Sequence, residues 1–377
     1  MSTRRIIGGC VTAMMIFQLS PAYAFQWGQW EIKPWGSVEE QYDSNITYAH
    51  TDTISDSITV PRLGLEGIYT GKNYTADLNL SGQEEIYSRY HHYDNLSEYL
   101  TANYSRDFSY YDHLKVDDSF VHATDPTTFV AQFGRTNGRY EYYLNDFDAG
   151  WTHDFTDKTS IQYKLTDNYY DPKLSGLIES NRIKGGVEGA WEVISELKVL
   201  VYADYSWRQF AGLDSITKES VGGGLRYYWT PRIYLEGKAG EDFIQPTVGN
   251  TDINRPDFQV SLNDQTDQTT LYTLSYRKSY EDTAYTQLLF NSWQAVLELK
   301  KDLSDRARVY ASVFTGEGTY VGQDLKERLN GAGIGFIYHV TKNVDLRADY
   351  RFSENHSNNS TDKYRKQTGL LELVFKF

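Results

Sequence analysis

The sequence predicts an all-β fold: a single transmembrane, antiparallel, up-and-down β-barrel of about 18 strands, with 16 as the alternative count. Three observations carry this. Apolar and polar residues alternate over long stretches, a period of two that belongs to strands. Aromatic residues suit a pleated surface, and the chain holds 32 Tyr, 17 Phe and 8 Trp. The alternating segments run about ten to thirteen residues, whereas soluble strands usually run about five or six and a tilted spanning strand needs about 9–11.

Residues 1–24 are set aside first. Arg4 and Arg5 form a positive start, Ile6 to Leu19 is mostly apolar, and Ala22-Tyr23-Ala24 is a small-x-small cleavage site. This reads as a secretory signal peptide. Ile7-Gly8-Gly9-Cys10 loosely resembles a lipid-attachment box, but the apolar segment continues past Cys10, where such a box should end. The barrel domain is then 25–377. It has no cysteine and no methionine, since Cys10, Met1, Met14 and Met15 all lie in the leader. That excludes a disulfide framework and a thiolate metal site. Removing Arg4 and Arg5 takes the formal charge from −14 to −16, and the absence of a basic stripe argues against a nucleic-acid partner. Residues 25–377 contain no apolar run near the ~18 residues of a spanning helix, so any membrane crossing is made by strands.

The alternation marks strands at approximately 30–43, 57–69, 74–88, 96–106, 112–122, 139–155, 159–170, 181–193, 197–210, 217–229, 232–243, 254–262, 268–280, 290–302, 306–316, 329–340, 344–353 and 367–377. Without 112–122 and 254–262 the count is 16. Several faces are explicit. Val344, Leu346, Ala348, Tyr350 and Phe352 oppose Asp345, Arg347, Asp349, Arg351 and Ser353. Leu197, Val199, Val201, Ala203, Tyr205 and Trp207 form another apolar face, and Ile233, Leu235, Gly237 and Ala239 oppose Tyr234, Glu236, Lys238 and Asp242. Such charged inner faces fit a watery lumen better than a packed core.

Connections alternate in length. Short turns fall at 71–73, 156–158, 194–196, 231–232, 304–306 and 341–343, and longer polar stretches at 44–56, 171–180, 244–253, 317–328 and 354–366. This rim asymmetry is that of an outer-membrane barrel, with short turns and both chain ends on the periplasmic side. The last strand, GLLELVFKF, places Leu371, Leu373, Phe375 and Phe377 on one face. A C-terminal amphipathic strand ending in Phe is the kind of signal that barrel-assembly machinery reads.

No catalytic or cofactor motif is legible, and the reading is of a protein that is not an enzyme. His91-His92 point to opposite faces of a strand. Gly222-Gly223-Gly224 lacks the Lys-Ser/Thr and helix of a phosphate loop. Like Gly331, Gly333 and Gly335, it reads as a bend or a close approach. Asp117-Asp118 and Asp52–Asp56 match no calcium-loop spacing. No metal ligand set is proposed, and no cofactor.

The lumen-facing candidates are Asp345, Arg347, Asp349, Arg351, Lys184, Glu188, Glu192, Tyr202, Tyr234, Glu236, Lys238 and Asp242. The ladder Asp345 to Arg351 reads equally as a transverse field that contacts a solute or as mutual pairing that stiffens the wall. Tyr202, Tyr228 and Tyr234 read as sugar-stacking rings or as simple lumen filling. Trp191, Trp207, Trp229 and Trp293 are expected in the interfacial girdle.

Pro34, followed by Glu39-Glu40-Gln41-Tyr42-Asp43-Ser44-Asn45, resembles the opening strand of outer-membrane β-barrel porins encoded with exopolysaccharide synthesis genes. Val60-Pro61-Arg62-Leu63-Gly64-Leu65 and the spacing Tyr87, Tyr90, Tyr93 extend the similarity. The resemblance implies a barrel for export of a secreted polysaccharide. Its partners would be periplasmic polysaccharide-export components, the polysaccharide cargo, the barrel-assembly machinery, and outer-membrane lipid with lipopolysaccharide. It carries over no catalytic residue. Pro34, Tyr42, Asp43 and Asn45 match the family element, and a loop-initiating turn is a sufficient structural reason for the last three. The alternative is a general or solute-selective diffusion porin. A loop folded into the lumen and a trimer-forming outer face would favour it.

Overall fold

Strands of this length can cross a bilayer only if every backbone N–H and C=O finds a partner on the sheet, because hydrocarbon supplies none. The structure, a computed structural model, meets that demand by closure. It describes residues 24–126, 128–134, 138–246, 253–265, 267, 269–282 and 289–377. The leader expected at 1–24 lies outside these apart from Ala24.

The strands are β1 Phe25–Trp27, β2 Trp30–Asp43, β3 Asp56–Thr70, β4 Tyr74–Tyr87, β5 Asn95–Asp107, β6 Asp112–Ala123, β7 Tyr142–Thr156, β8 Thr159–Pro172, β9 Ser180–Ile194, β10 Leu197–Phe210, β11 Ile216–Thr230, β12 Ile233–Pro246, β13 Ile253–Asp264, β14 Thr270–Asp282, β15 Leu289–Ser304, β16 Ala307–Tyr320, β17 Lys326–Thr341, β18 Val344–Ser357 and β19 Tyr364–Lys376. Each of β2 to β19 pairs antiparallel with the next, and β19 returns to pair with β2 from Thr368↔Asp43 to Lys376↔Trp35. This is the 18-stranded up-and-down barrel that the alternation predicts, with β1 as one additional short strand. β1 folds back on β2, with Phe25 opposite Ile32, and continues the column that β19 leaves at Lys376.

The two faces separate as the period of two requires. On β19, Leu371 and Leu373 are 53 % and 43 % exposed on the outside, whereas Glu372 and Val374 are 3 % and 4 % exposed toward the lumen. Trp191 and Trp229 are exposed near the short-turn rim, where a headgroup girdle is expected. Both strands whose omission would give a count of 16 are present, as β6 and β13. The strands run 12–16 residues (β1 aside), most of them longer than the alternation alone marks, although β7 starts at Tyr142 and not at 139. The added length lies mostly at the long-loop end. β16 continues to Tyr320, β17 starts at Lys326 and β18 reaches Ser357, so much of 317–328 and 354–366 is strand, not loop. Above a bilayer both faces of a strand meet water, and a polar ladder there has no hydrophobic period to betray it.

Candidate functional site

The lumen wall is built from the inward-facing positions of each strand, and the sequence-predicted lumen residues lie on the strand faces opposite exposed apolar residues such as Ile183, Trp191, Val201, Leu235 and Tyr350. Their charges are compensated by neighbours. Asp345 holds Lys376 Nζ at 2.7 Å and His339 at 2.6 Å. Arg347 reaches Glu372 at 3.4 Å, and Arg351 reaches Asp349 at 2.8 Å. Lys184 pairs with Asp204 at 3.2 Å, Glu192 with Lys198 at 3.7 Å, and Asp242 with Lys218 at 2.7 Å. Glu236 is bound by Arg226, whose guanidinium also lies over the Tyr234 ring. Tyr234 in turn stands 5.4 Å from Tyr228. On β18, Asp345 and Arg347 pair with neighbouring strands and Asp349 pairs with Arg351 along the strand, so the ladder's charges are compensated locally.

The glycines explain how side chains cross the wall. Lys238 of β12 reaches Glu188 of β9 at 2.8 Å over two intervening strands. A Cβ on Gly224 would sit 2.9 Å from Lys238 Cγ, and one on Gly222 or Gly240 would sit 2.5 Å from the Tyr202 hydroxyl. Gly222, Gly224 and Gly240 thus form a low shelf on which Tyr202 and Lys238 lie flat, while Gly223 faces the other side of the strand. The same device recurs: Trp35 lies over Gly64 and Tyr310 over Gly335, each its direct cross-strand partner. Glycine in a strand here serves close approach.

Many of the residues that sequence reasoning did not single out lie between β6 and β7, at 124–126, 128–134 and 138–141. From there Phe129 and Phe133 meet β15–β17, which lie on the far side in strand order. A single helical turn, Phe129–Gln132, is capped by Thr128 Oγ1, which accepts from Ala131 N at 3.1 Å. Phe129 sits in the slot of Gly331, and Phe133 in that of Gly316. Both rings stack near Phe314, with centroids 6.4 and 5.5 Å away. The Tyr320 hydroxyl donates to Gly134 O at 2.7 Å. Both rings are partly buried, so each contributes less than the about 1.5–3 kcal/mol of a fully buried phenylalanine.

The near side of the loop is held by charge. Asp125 accepts from Arg139 at 2.6 Å and faces Lys366 Nζ at 3.4 Å. Arg139 also pairs with Glu85 of β4 and stacks 5.2 Å from the Tyr87 ring. Burial opposes the Arg139 charge, but Asp125 and Glu85 more than offset this and raise its pKa. Lys366 contacts Asp43 at 2.8 Å and lies 3.9 Å from the Tyr48 ring. Burial, with Asp125 adding to it, pushes the Tyr48 hydroxyl above its ordinary value, so the ring stays neutral. Tyr48 adopts φ 55°, a left-handed conformation uncommon for a bulky residue. Its ring packs edge-on against Tyr364 at 5.0 Å, which helps hold that conformation.

The family-like element builds this anchor. Asp43 Oδ1 accepts from Asn45 N at 2.9 Å while the carboxylate holds Lys366. Asn45 is fully buried. Its Nδ2 donates to Ala49 O at 2.8 Å and Arg365 O at 3.0 Å, and its Oδ1 accepts from Ala49 N. Tyr42 faces outward and is exposed. Pro34 O accepts from Phe377 N at 3.1 Å, tying the first barrel strand to the last residue. An Asn45→Ala variant is expected to lose about 1–3 kcal/mol locally, since three backbone groups lose their partner. Faster hydrogen exchange at Ala49 in an otherwise folded barrel checks this.

Beneath the loop lies a cavity of about 500 Å³. Its lining includes the rings of Trp35, Tyr99 and Tyr310 and, away from the Asp125 anchor, the charges of Arg62, Arg347, Arg351, Glu39, Asp349 and Glu372. Arg62 reaches Glu372 at 3.4 Å and Glu39 at 4.0 Å, so these acids and bases form one compensated set. No group of three metal-ligating side chains occurs among the described residues.

Among solved structures, the chain is similar to OpdO of Pseudomonas aeruginosa (12 % identity, 92 % of this chain and 97 % of that one, TM-score 0.48). It is also similar to OccAB4 of Acinetobacter baumannii (10 %, 95 % and 100 %, 0.48). A third is the outer membrane protein opdK of P. aeruginosa (10 %, 92 % and 98 %, 0.46). No curated protein matches the sequence. Residues 265–377, which carry β14–β19, match the family model described as Putative beta-barrel porin 2.

Proposed function

We propose that the chain is an outer-membrane channel through which a secreted polysaccharide leaves the cell, with its short turns and both ends facing the periplasm. The observation that supports this reading is the lumen surface itself. Trp35, Tyr202 and Tyr310 lie flat over glycines, beside charges that cancel locally. A flat aromatic face stacks on the apolar face of a sugar ring, and a wall without net field neither repels nor traps a neutral, hydroxyl-rich chain. Many weak contacts admit a polymer without holding it. Eighteen strands enclose a lumen wide enough for an extended glycan once the space is free. The outer face would meet lipid and lipopolysaccharide, the strand ending in Phe377 would be read by the barrel-assembly machinery, and periplasmic export components would deliver the polymer.

A second reading, a general or solute-selective diffusion porin, is favoured by one specific observation: Phe129 and Phe133, between β6 and β7, seat against Gly331 and Gly316 on the far wall of the lumen. The porin family match supports both readings equally and favours a channel over an enzyme. The two are separated by deleting the gene and measuring polysaccharide at the cell surface and within the envelope. Export requires surface polymer to disappear and to return with the wild-type gene. Unchanged surface polymer together with bilayer conductance would leave the diffusion porin.

A further inference from the structure

We propose that the outward face of β14–β19, at the end of the long connections, seats the phosphates of the outer-leaflet glycolipid, lipopolysaccharide, through Lys278, Arg328 and Arg365. The inference rests on the orientation given above, with the short turns periplasmic. Its first support is an uneven distribution of charge. At the long-connection end, the outward positions of β4, β5, β8, β11 and β12 carry Glu84, Glu98, Asp171, Glu219 and Glu241. Among the described residues, no outward position of β4–β12 at that end carries Lys or Arg. On β14–β19 the sign reverses. Lys278, Lys326, Arg328 and Arg365 point outward, in phase with the exposed Tyr276, Ile334 and Leu371 of their strands. Glu317 and Glu354, which share this face, are already held, by Lys326 at 2.8 Å and His356 at 3.1 Å. Lys278, Arg328 and Arg365 have no ion-pair partner among the described residues.

The second support is the height of these cations and what surrounds them. Lys278 follows Tyr272, Leu274 and Tyr276 on the outward stripe of β14, so it stands directly above the apolar band. Its register partners are Phe258 and Trp293, and the Tyr276 ring lies 6.2 Å from Phe258 and 6.3 Å from Trp293. This is an interfacial aromatic girdle with a cation set into it. Arg365 lies 5.3 Å over the Phe352 ring, and Arg328 stands opposite His356 across β17 and β18. Phosphates of the headgroups occupy this level of a bilayer, and each supplies the anion that these side chains lack on their own chain. The spacing decides against a second barrel as the occupant. Lys278 and Arg365 are five strands apart, which is about 24 Å around the wall at about 4.8 Å per strand. A neighbouring barrel is convex and touches along one or two strands, whereas lipid headgroups are separate bodies that follow the curve. The acidic arc on β4–β12 repels the same phosphates, so firmly held glycolipid gathers on one side of the barrel.

The test uses the purified full-length barrel in an uncharged detergent. Lipopolysaccharide, and the same material with its lipid phosphates removed enzymatically, are titrated against the wild type and against a Lys278→Gln, Arg328→Gln, Arg365→Gln triple variant. Heat-modifiable mobility checks that each is folded. The triple variant is expected to bind lipopolysaccharide about a hundredfold more weakly, about fivefold for each cation removed. The wild type should bind the phosphate-free material as weakly. A Glu84→Gln, Glu219→Gln, Glu241→Gln variant, the control on the acidic arc, should bind lipopolysaccharide at least as tightly as the wild type. Equal binding by the wild type and the basic-arc variant, or equal binding of the two lipids, would overturn the seat. So would a change from oligomer to monomer in the basic-arc variant with lipid binding unmoved, which would make the arc a contact between copies. Orientation is read separately. Residues 25–377 hold no cysteine, so a Ser360→Cys variant treated on intact cells with a membrane-impermeant thiol reagent is expected to react. Reaction only after the cells are broken would overturn the orientation and, with it, the glycolipid as occupant.

Discussion

Lys366→Met is expected to cost about 3–5 kcal/mol of stability, the penalty for removing one partner of a buried ion pair. The side chain of Lys366 is 7 % exposed and that of Asp43 is completely covered. Methionine keeps most of the volume and the contact with Tyr48, so the loss reports charge and not a hole. Asp125 retains Arg139. Asp43 keeps the backbone N–H of Asn45, which does not neutralise a carboxylate. Urea titration of the folded barrel, followed by heat-modifiable mobility, measures the effect. Adding Asp43→Asn to Lys366→Met should recover part of the loss, because the stranded charge is then gone. An unchanged midpoint in the single variant would mean that water reaches the cluster and that it anchors nothing.

Removal of Phe375–Phe377 is expected to abolish assembly. β19 closes the barrel, and its last pairs are Phe375 with Gly36 and Lys376 with Trp35, followed by Phe377 N to Pro34 O. Without them the lower part of β2 becomes an open edge in lipid, where each unsatisfied backbone group costs several kcal/mol. The outward stripe Leu371, Leu373, Phe375 and Phe377 also loses its end, and with it the proposed recognition signal. Fractionation of the envelope should find no heat-modifiable barrel. Lys376→Ala, which removes only the lumen-facing partner of Asp345, should assemble normally. A folded truncated barrel would show that the final three residues neither close nor signal.

The wall was legible in the sequence and the segment between β6 and β7 was not, for a physical reason. A strand between lipid and water must alternate, so β2, β10 and β19 are nearly spelled out by their side chains. The connection 124–141 obeys no such rule. It is anchored by contacts with Glu85, Phe314, Gly331 and Lys366, which are distant in the chain and adjacent only after closure. Two faint signals existed. The gap between the strands marked at 112–122 and 139–155 is the widest in the series, and Phe129 and Phe133 sit four apart within it. The glycines of β11 and β17 were legible as points of close approach. What approached them was not, since one sequence does not reveal which ring faces which slot. The ladder on β18 illustrates the same limit: its alternating signs fit either a field or a set of pairs, and only the positions of Glu372 and Lys376 decide.

The placement of β1 has a topological consequence. Phe25 pairs with Ile32 and Phe377 bonds Pro34, so the first and last described residues of the wall lie along the same edge of β2, one above the other. The barrel is hydrogen-bonded as a ring although its covalent chain is open, and the opening falls at a rim and not within the wall. Its strand order is therefore cyclic. A chain joined across that seam and cut instead within a long connection would keep every strand pair of the ring and change only where synthesis begins.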